Sequence, residues 1–273
     1  MTRPARAISA ITRFLPKYIY SLVVSLFLFT LGIFSRRHRF LIFQIARHFG
    51  WKQGTEEERI PILPLAAVLD CHLNLTLLEP LGEGGNVTLL ELMVISSLAR
   101  GARPPVAFEI GTFDGRTTLN LAANLPADGH VFTLDLPRSD LRETKFDLAP
   151  GESAFVAKDA SGLKFTGTDL APRITQLYGD SATFNFRSYA GRMGLVFVDG
   201  SHAFEYVQQD TTTALNLAAG SGVILWHDYQ QDWRDVIRAL NEFAATDPRC
   251  ANLRRIEGTS LVMLRRENTR RPA

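Results

Sequence analysis

From residue 86 onward, short runs rich in valine, isoleucine and phenylalanine alternate with helical patterns, and this alternation constrains the fold of the 273-residue chain more than any other feature. Parallel strands need a long crossover between them, usually a helix, so the pattern reads as a parallel sheet covered by helices. It predicts strands at residues 106–110, 130–134, 174–178, 195–198 and 223–226, then a closing pair at 253–256 and 260–264. Helices are predicted at 88–100, 117–125, 203–218 and 233–244, the first opened by Thr88 and Glu91 as a capping box. Glu257, Gly258 and Thr259 between the last two strands are hairpin chemistry, which turns the last strand antiparallel. The expected fold is α/β: a doubly wound, mostly parallel seven-stranded sheet with an antiparallel last strand. The interval 137–173 is longer than a simple crossover and weakly periodic, and intervals of that length are functional or disordered.

Ahead of this domain the composition changes. Residues 18–35 carry no charge and sit at the lower length limit for crossing a bilayer, closed by Lys17 and Arg36. Arg36, Arg37, His38 and Arg39 follow where a small-residue cleavage site would stand, so the segment is expected to stay. Ile8, Ile11 and Leu15 share a helical face close to Arg3, Arg6 and Arg13, a pattern suited to an anionic membrane surface. Basic residues flank both sides, so the charge rule gives little orientation. The alternative is a buried helix packed on the core or on a second subunit of a homo-oligomer. Residues 40–49 read as a second short apolar helix and 53–59 as a charged linker, while Pro61, Pro64 and Pro80 break up the stretch that follows. The chain thus divides into an N-terminal basic and apolar helical segment (1–60), an irregular linker or lid (61–85), the α/β domain (86–267) and a tail (268–273). The expected location is cytoplasmic, on the inner face of the membrane.

The net charge of +2 comes from positives concentrated toward the two ends, and nothing between them looks like a nucleic-acid groove. Cys71 and Cys250 are too few for a disulfide framework and show no metal spacing, which fits a reducing compartment. Cys71 and His72 read as packing residues rather than ligands.

The strongest chemical signal is EIGTFDG, residues 109–115, directly after a predicted strand and before a predicted helix. Gly111 permits a tight turn and close backbone approach, and Gly115 lets the helix pack near the strand. A dinucleotide site also uses a glycine-rich first turn, but here Phe113 replaces the central glycine and Asp114 puts negative charge where phosphate would sit. A sulfonium cofactor carrying an ammonium and a carboxylate tolerates both, and Glu109 offers its carboxylate to the ammonium. Asp135, after the second strand, stands where an acid accepts two ribose hydroxyls. Asp180, after the third, either accepts from an adenine amino group or caps a turn.

In that order EIGTFDGRTTLNLA, TLDLP, LYGDS, VFVDGSHAFEYVQQD, GVILWHDY and GTSLVML resemble the class I S-adenosylmethionine-dependent methyltransferases, in the bacterial branch similar to macrocin-type sugar O-methyltransferases and cephalosporin-type methoxylation proteins. The resemblance covers roughly residues 88–264. It implies a Rossmann-like fold and S-adenosylmethionine contacts in and around the turn, at Glu109, Gly111, Thr112, Phe113 and Gly115, and at Asp135 and Asp180.

A second constellation joins Asp199, Gly200, Ser201 and His202, after the fourth strand, to His227 and Asp228, after the fifth. Adjacent strands lie about 4.8 Å apart, so these side chains can converge in the crevice at the strand ends. Asp199, His202, His227 and Asp228 are the candidate catalytic residues, with Asp199, His227 and Asp228 as candidate ligands for Mg2+ or Mn2+. Similar proteins place a divalent metal between acids here, and His227 stands where several relatives have an acid. An imidazole could instead serve as a metal-free base. Trp226 and Trp233 are candidates for lining the crevice, and Arg138, Arg142, Lys145 and Lys158 for meeting an acidic acceptor or solvent. The expected activity is methyl transfer to a hydroxyl of a small molecule or sugar. A membrane-associated scaffold that keeps the fold without turnover is the alternative, and a nicotinamide oxidoreductase is a third.

Overall fold

The valine- and phenylalanine-rich runs lie side by side in one eight-stranded sheet, order β1-β7-β8-β6-β5-β2-β3-β4. The computed structural model describes residues 3–35, 38–39, 41–42, 45–46, 49, 56–70, 72–82 and 84–266. The strands are β1 (Ile62–Leu63), β2 (Val106–Ile110), β3 (His130–Asp135), β4 (Ile174–Tyr178), β5 (Met193–Val198), β6 (Ala218–Trp226), β7 (Arg254–Ile256) and β8 (Val262–Arg265). All pairings are parallel except those of β8 with β6 and β7, as the hairpin chemistry at Gly258 requires. The seven expected strands are present, and an eighth, β1, adds to β7 from the stretch that the prolines marked as irregular. Two residues give too short a run for period-two patterning to reveal.

The helices of this unit are α2 (Leu89–Ala102), α3 (Arg116–Asn124), the single turn α4 (Ser153–Val156), α5 (Phe204–Leu217) and α6 (Arg234–Thr246). Thr88 and Glu91 close the expected capping box on α2. Because side chains alternate across a strand, β2 and β5 feed two cores. Phe108, Ile110, Val196 and Val198 join Val207 and Leu215 of α5 and Ile237 and Leu240 of α6. Ala107, Leu195 and Phe197 join Leu92, Ile95 and Leu98 of α2 and Leu121 of α3. Burial on both faces explains the near-continuous apolar runs. The strand order reverses between β2 and β5, and such a switch point opens a crevice at the carboxyl ends of the strands.

The excursion 137–173 is folded, mostly as turns with α4 inside it, and is hydrogen-bonded to the strand ends described below. The stretch 76–80 runs beside α3. Asn120 and Asn124 each accept from and donate to its backbone, at Leu78 and Thr76, and the buried Arg116 guanidinium donates to the carbonyls of Glu79, Pro80 and Val87.

Residues 1–55 form a separate compact unit. Its helix α1 spans Arg3–Thr30 and continues into a 3-10 turn over Leu31–Phe34. The stretch Phe14–Phe34 is long and apolar enough to cross a membrane, and only 11% of its most apolar window is buried. The expected helix at 40–49 and linker at 53–59 fall partly outside the described residues, as Cys71 and the tail 268–273 do wholly. His72 is exposed and takes part in a turn, its N–H donating to Asp70, rather than packing as expected.

Candidate active site

The crevice at the switch point is a cavity of about 750 Å³ lined by the ends of β2, β3, β4, β5 and β6 and by the excursion. Gly111 makes it possible. At its φ of 97° a Cβ would lie 1.9 Å from the Asp199 carbonyl oxygen, so β2 and β5 exit this close only with glycine there. Phe113 follows in the left-handed region at φ 50° and faces the cavity, its ring edge-on to Phe155.

Asp135, at the end of β3, also lines the cavity, and its carboxylate accepts from Lys158 Nζ at 2.7 Å and from the Ser161 hydroxyl. Asp180 lines it too, with both oxygens engaged: Oδ1 accepts from the Ala182 N–H and the Tyr206 hydroxyl, Oδ2 from the Lys145 N–H. Of the two readings of Asp180, turn capping is visible directly.

Three of the expected cofactor residues lie beneath the cavity instead of on its wall. Glu109 is fully buried, accepting from the hydroxyls of Thr118 and Thr133. Burial pushes its pKa up to about 8, so at neutral pH it is mostly a neutral acid, unlike the carboxylate expected to meet an ammonium. Thr112 turns its hydroxyl to Thr133 and Gln176. Gly115 opens α3 at φ 87°, where a Cβ would strike the Phe165 ring at 2.6 Å, so this glycine serves packing of the excursion.

The second constellation converges as its spacing predicts, as a chain of acids and imidazoles. His202 Nε2 lies 2.7 Å from Asp228 Oδ2, and its Nδ1 2.5 Å from Glu152 Oε1, which also accepts the His202 backbone N–H. Trp233 stacks on the ring with centroids 3.9 Å apart, whereas Trp226 is core, its Nε1 donating to Thr211. His227 Nδ1 lies 2.9 Å from Asp199 Oδ1 and its Nε2 3.3 Å from Glu91 Oε2. Burial disfavours charge on His202, but hydrogen bonds to Asp228 and Glu152 outweigh it and raise its pKa to about 9. His227 is likewise raised well above its ordinary value against its burial, by Asp199 first. Asp228 and Glu91 are held below the usual carboxylate range, the histidines overcoming desolvation.

Asp228 sits at φ 61°, fixed by the Ser260 hydroxyl, which accepts its N–H, and by Gln230, which donates to its carboxylate. The grouping differs from the expected metal trio in one member. Ligand atoms of Asp199, His202 and Asp228 lie within 4.8 Å of one another, and His227 Nδ1 adjoins the same two acids, 2.9 Å from Asp199 Oδ1 and 3.3 Å from Asp228 Oδ2. Sequence reasoning missed Glu91 and Glu152. Glu91 was legible only as the third residue of a capping box, and nothing in the pattern around Glu152 distinguishes it.

Residues 108–229 match the model of a family described as a methyltransferase domain. No curated protein matches the chain. Among solved structures, a protein from Corynebacterium glutamicum shares the fold at 15% identity and a TM-score of 0.50, covering 68% of this chain and 85% of its own. TomG, an O-methyltransferase of Streptomyces achromogenes involved in tomaymycin synthesis and solved with SAM, is 19% identical over 66% of this chain and 82% of its own, with a TM-score of 0.47. An O-methyltransferase from Bacillus cereus in complex with SAH is 17% identical over 67% and 84%, with a TM-score of 0.47.

Proposed function

We propose that this domain moves a methyl group from S-adenosylmethionine to a hydroxyl of a small molecule or sugar. The observation that carries the reading is the single cavity, which faces the Gly111 turn and Asp135 on one side and the Asp199, His202, Asp228 cluster on the other. Its lining holds six carboxylate residues, Glu91, Asp135, Glu152, Asp180, Asp199 and Asp228, against four basic ones, Lys158, Arg255, His202 and His227, each already paired with a carboxylate. Such a wall suits a cationic sulfonium with an ammonium and repels the pyrophosphate of a nicotinamide dinucleotide. When bound, the cofactor supplies the methyl group as a sulfonium electrophile. Asp135 would accept from ribose hydroxyls, and the cluster would orient the acceptor hydroxyl in line with the methyl at about 3 to 3.5 Å and take its proton, at His202 once the ring has lost its own near pH 9.

Donor chemistry supports a divalent ion at Asp199, His202 and Asp228, Mn2+ more readily than Mg2+ because one donor is imidazole. An ion held there would polarise the acceptor hydroxyl. The N-terminal unit is proposed to attach the domain to the inner face of the membrane.

Incubating purified protein with labelled S-adenosylmethionine and host metabolite extract, then identifying what acquires label, tests the activity. Tight NADH binding without response to S-adenosylmethionine would sink it. Loss of labelling with chelator, restored by Mn2+, supports the ion; labelling that survives chelation but is lost in His202→Ala leaves imidazole as base.

A further inference from the structure

We infer that Glu152 is a positioning residue that fixes the His202 ring with Nε2 toward Asp228, making the 137–173 excursion part of the reaction centre. The inference rests on the methyl-transfer reading of the cavity. The excursion crosses the site and is bonded to its walls: Lys145 N to Asp180, Glu152 to the 201–202 turn, Lys158 and Ser161 to Asp135, and the Gly162 and Lys164 N–H groups to the Phe113 and Asp114 carbonyls. The Glu152 contact alone reaches an imidazole of the cluster.

Glu152 is 4% exposed, and each oxygen has a distinct task. Oε2 accepts from the Ala149 N–H at 2.8 Å and the Ser201 hydroxyl at 2.6 Å, which aims the carboxylate. Oε1 accepts from both the backbone N–H and Nδ1 of His202, each at 2.5 Å. A grip on backbone and ring together fixes rotation of the imidazole, and the Trp233 stack closes one face. With Nδ1 engaged, Nε2 is left to Asp228 and the acceptor side, whether it serves as base or ligand. Without Glu152 the ring could turn and exchange its nitrogens, and a carboxylate partner of this kind accounts for about 10- to 100-fold in activity where it orients a histidine.

Two readouts test this on the full chain. The first is the rate of label transfer from saturating S-adenosylmethionine into the host extract. Glu152→Ala should lower it about 10- to 100-fold, with the half-saturating S-adenosylmethionine concentration changed less than about threefold. Glu152→Gln, which keeps an oxygen for both His202 N–H groups but turns its NH2 to the Ala149 N–H, should recover part of the loss. The second is NMR of protein with 15N-labelled imidazoles, without metal or substrate. A His202 Nδ1–H signal protected from exchange should appear in the wild type and in Glu152→Gln and vanish in Glu152→Ala. If Glu152→Ala does not fold, Glu152→Asp, one methylene shorter, replaces it in both. A wild-type rate in the alanine variant, or a His202 signal that survives it, overturns the inference. Should the wild type transfer no label, the methyl-transfer reading fails, while the NMR signal still decides whether Glu152 holds His202.

Discussion

Asp135 has two claimants. As it stands its carboxylate is bonded by Lys158 and Ser161 of the excursion, and ribose hydroxyls would have to displace or share those bonds. Asp135→Ala is therefore expected to weaken binding of the demethylated cofactor by about 1.5 to 3 kcal/mol, the range for hydrogen bonds to a charged group. Lys158→Ala removes a competitor and should bind it no less tightly. Calorimetry on both variants decides, and a Lys158→Ala loss as large as that of Asp135→Ala would contradict the competition. Glu109 gives a second residue-scale expectation. Burial keeps it protonated in the folded chain up to about pH 8, while in the unfolded chain it ionises near its ordinary value of 4.5. Between those values the unfolded state binds fewer protons, so Glu109 costs stability as pH rises from about 4.5 to 8, and the cost is complete above that window. Glu109→Gln should thus gain on the wild type between pH 5 and pH 8, by an amount on the order of a few kcal/mol. Urea unfolding at the two pH values measures it, and an equal offset at both would show that Glu109 does not titrate this way.

At the scale of elements, periodicity made the long strands readable and left the short and irregular pieces dark. Strands β2 and β4 have the predicted bounds because each is a β-branched or aromatic run bounded by turn residues. The two-residue β1 had no such signal, and neither did the stretch 76–80, whose backbone is held by α3. Arg116, Asn120 and Asn124 stand four residues apart on α3, the spacing of one helical face, and together replace the strand partner that this backbone lacks. The same logic holds in the site. Asp199, His202, His227 and Asp228 were legible because they follow predicted strands directly, whereas Glu91 and Glu152 reach the cluster from a helix cap and an aperiodic excursion. Asn120→Ala would leave the Leu78 N–H and C=O without their partners, at about 2 to 3 kcal/mol. The expected outcome is faster hydrogen exchange at the Leu78 amide with unchanged protection along β2 and β5. Uniform loss of protection would mean that the segment and the sheet unfold as one.

For the whole molecule, the decisive contrast is between a unit that buries its apolar residues and one that shows them. Among the described residues, both cores and every strand lie between Ile60 and Arg265. In the N-terminal unit Tyr20, Val23, Leu26 and Phe34 are each more than 60% exposed, on a stretch whose most apolar window is only 11% buried. An α-helix apolar on all sides belongs in a protein core or a bilayer. At 1.5 Å per residue, the 21 residues of Phe14–Phe34 measure about 31 Å as a helix, close to the roughly 30 Å of a hydrocarbon core. Lys17 lies near one end of that stretch, where a long cationic side chain reaches the interface. Full-length protein is accordingly expected in the membrane fraction, resisting high salt and carbonate and yielding to detergent. Residues 56–273 alone should be soluble, with the cofactor affinity and urea midpoint of the full chain. Extraction by salt would reduce the attachment to surface charge. A full-length chain that is monomeric in plain buffer would remove the membrane from the function altogether.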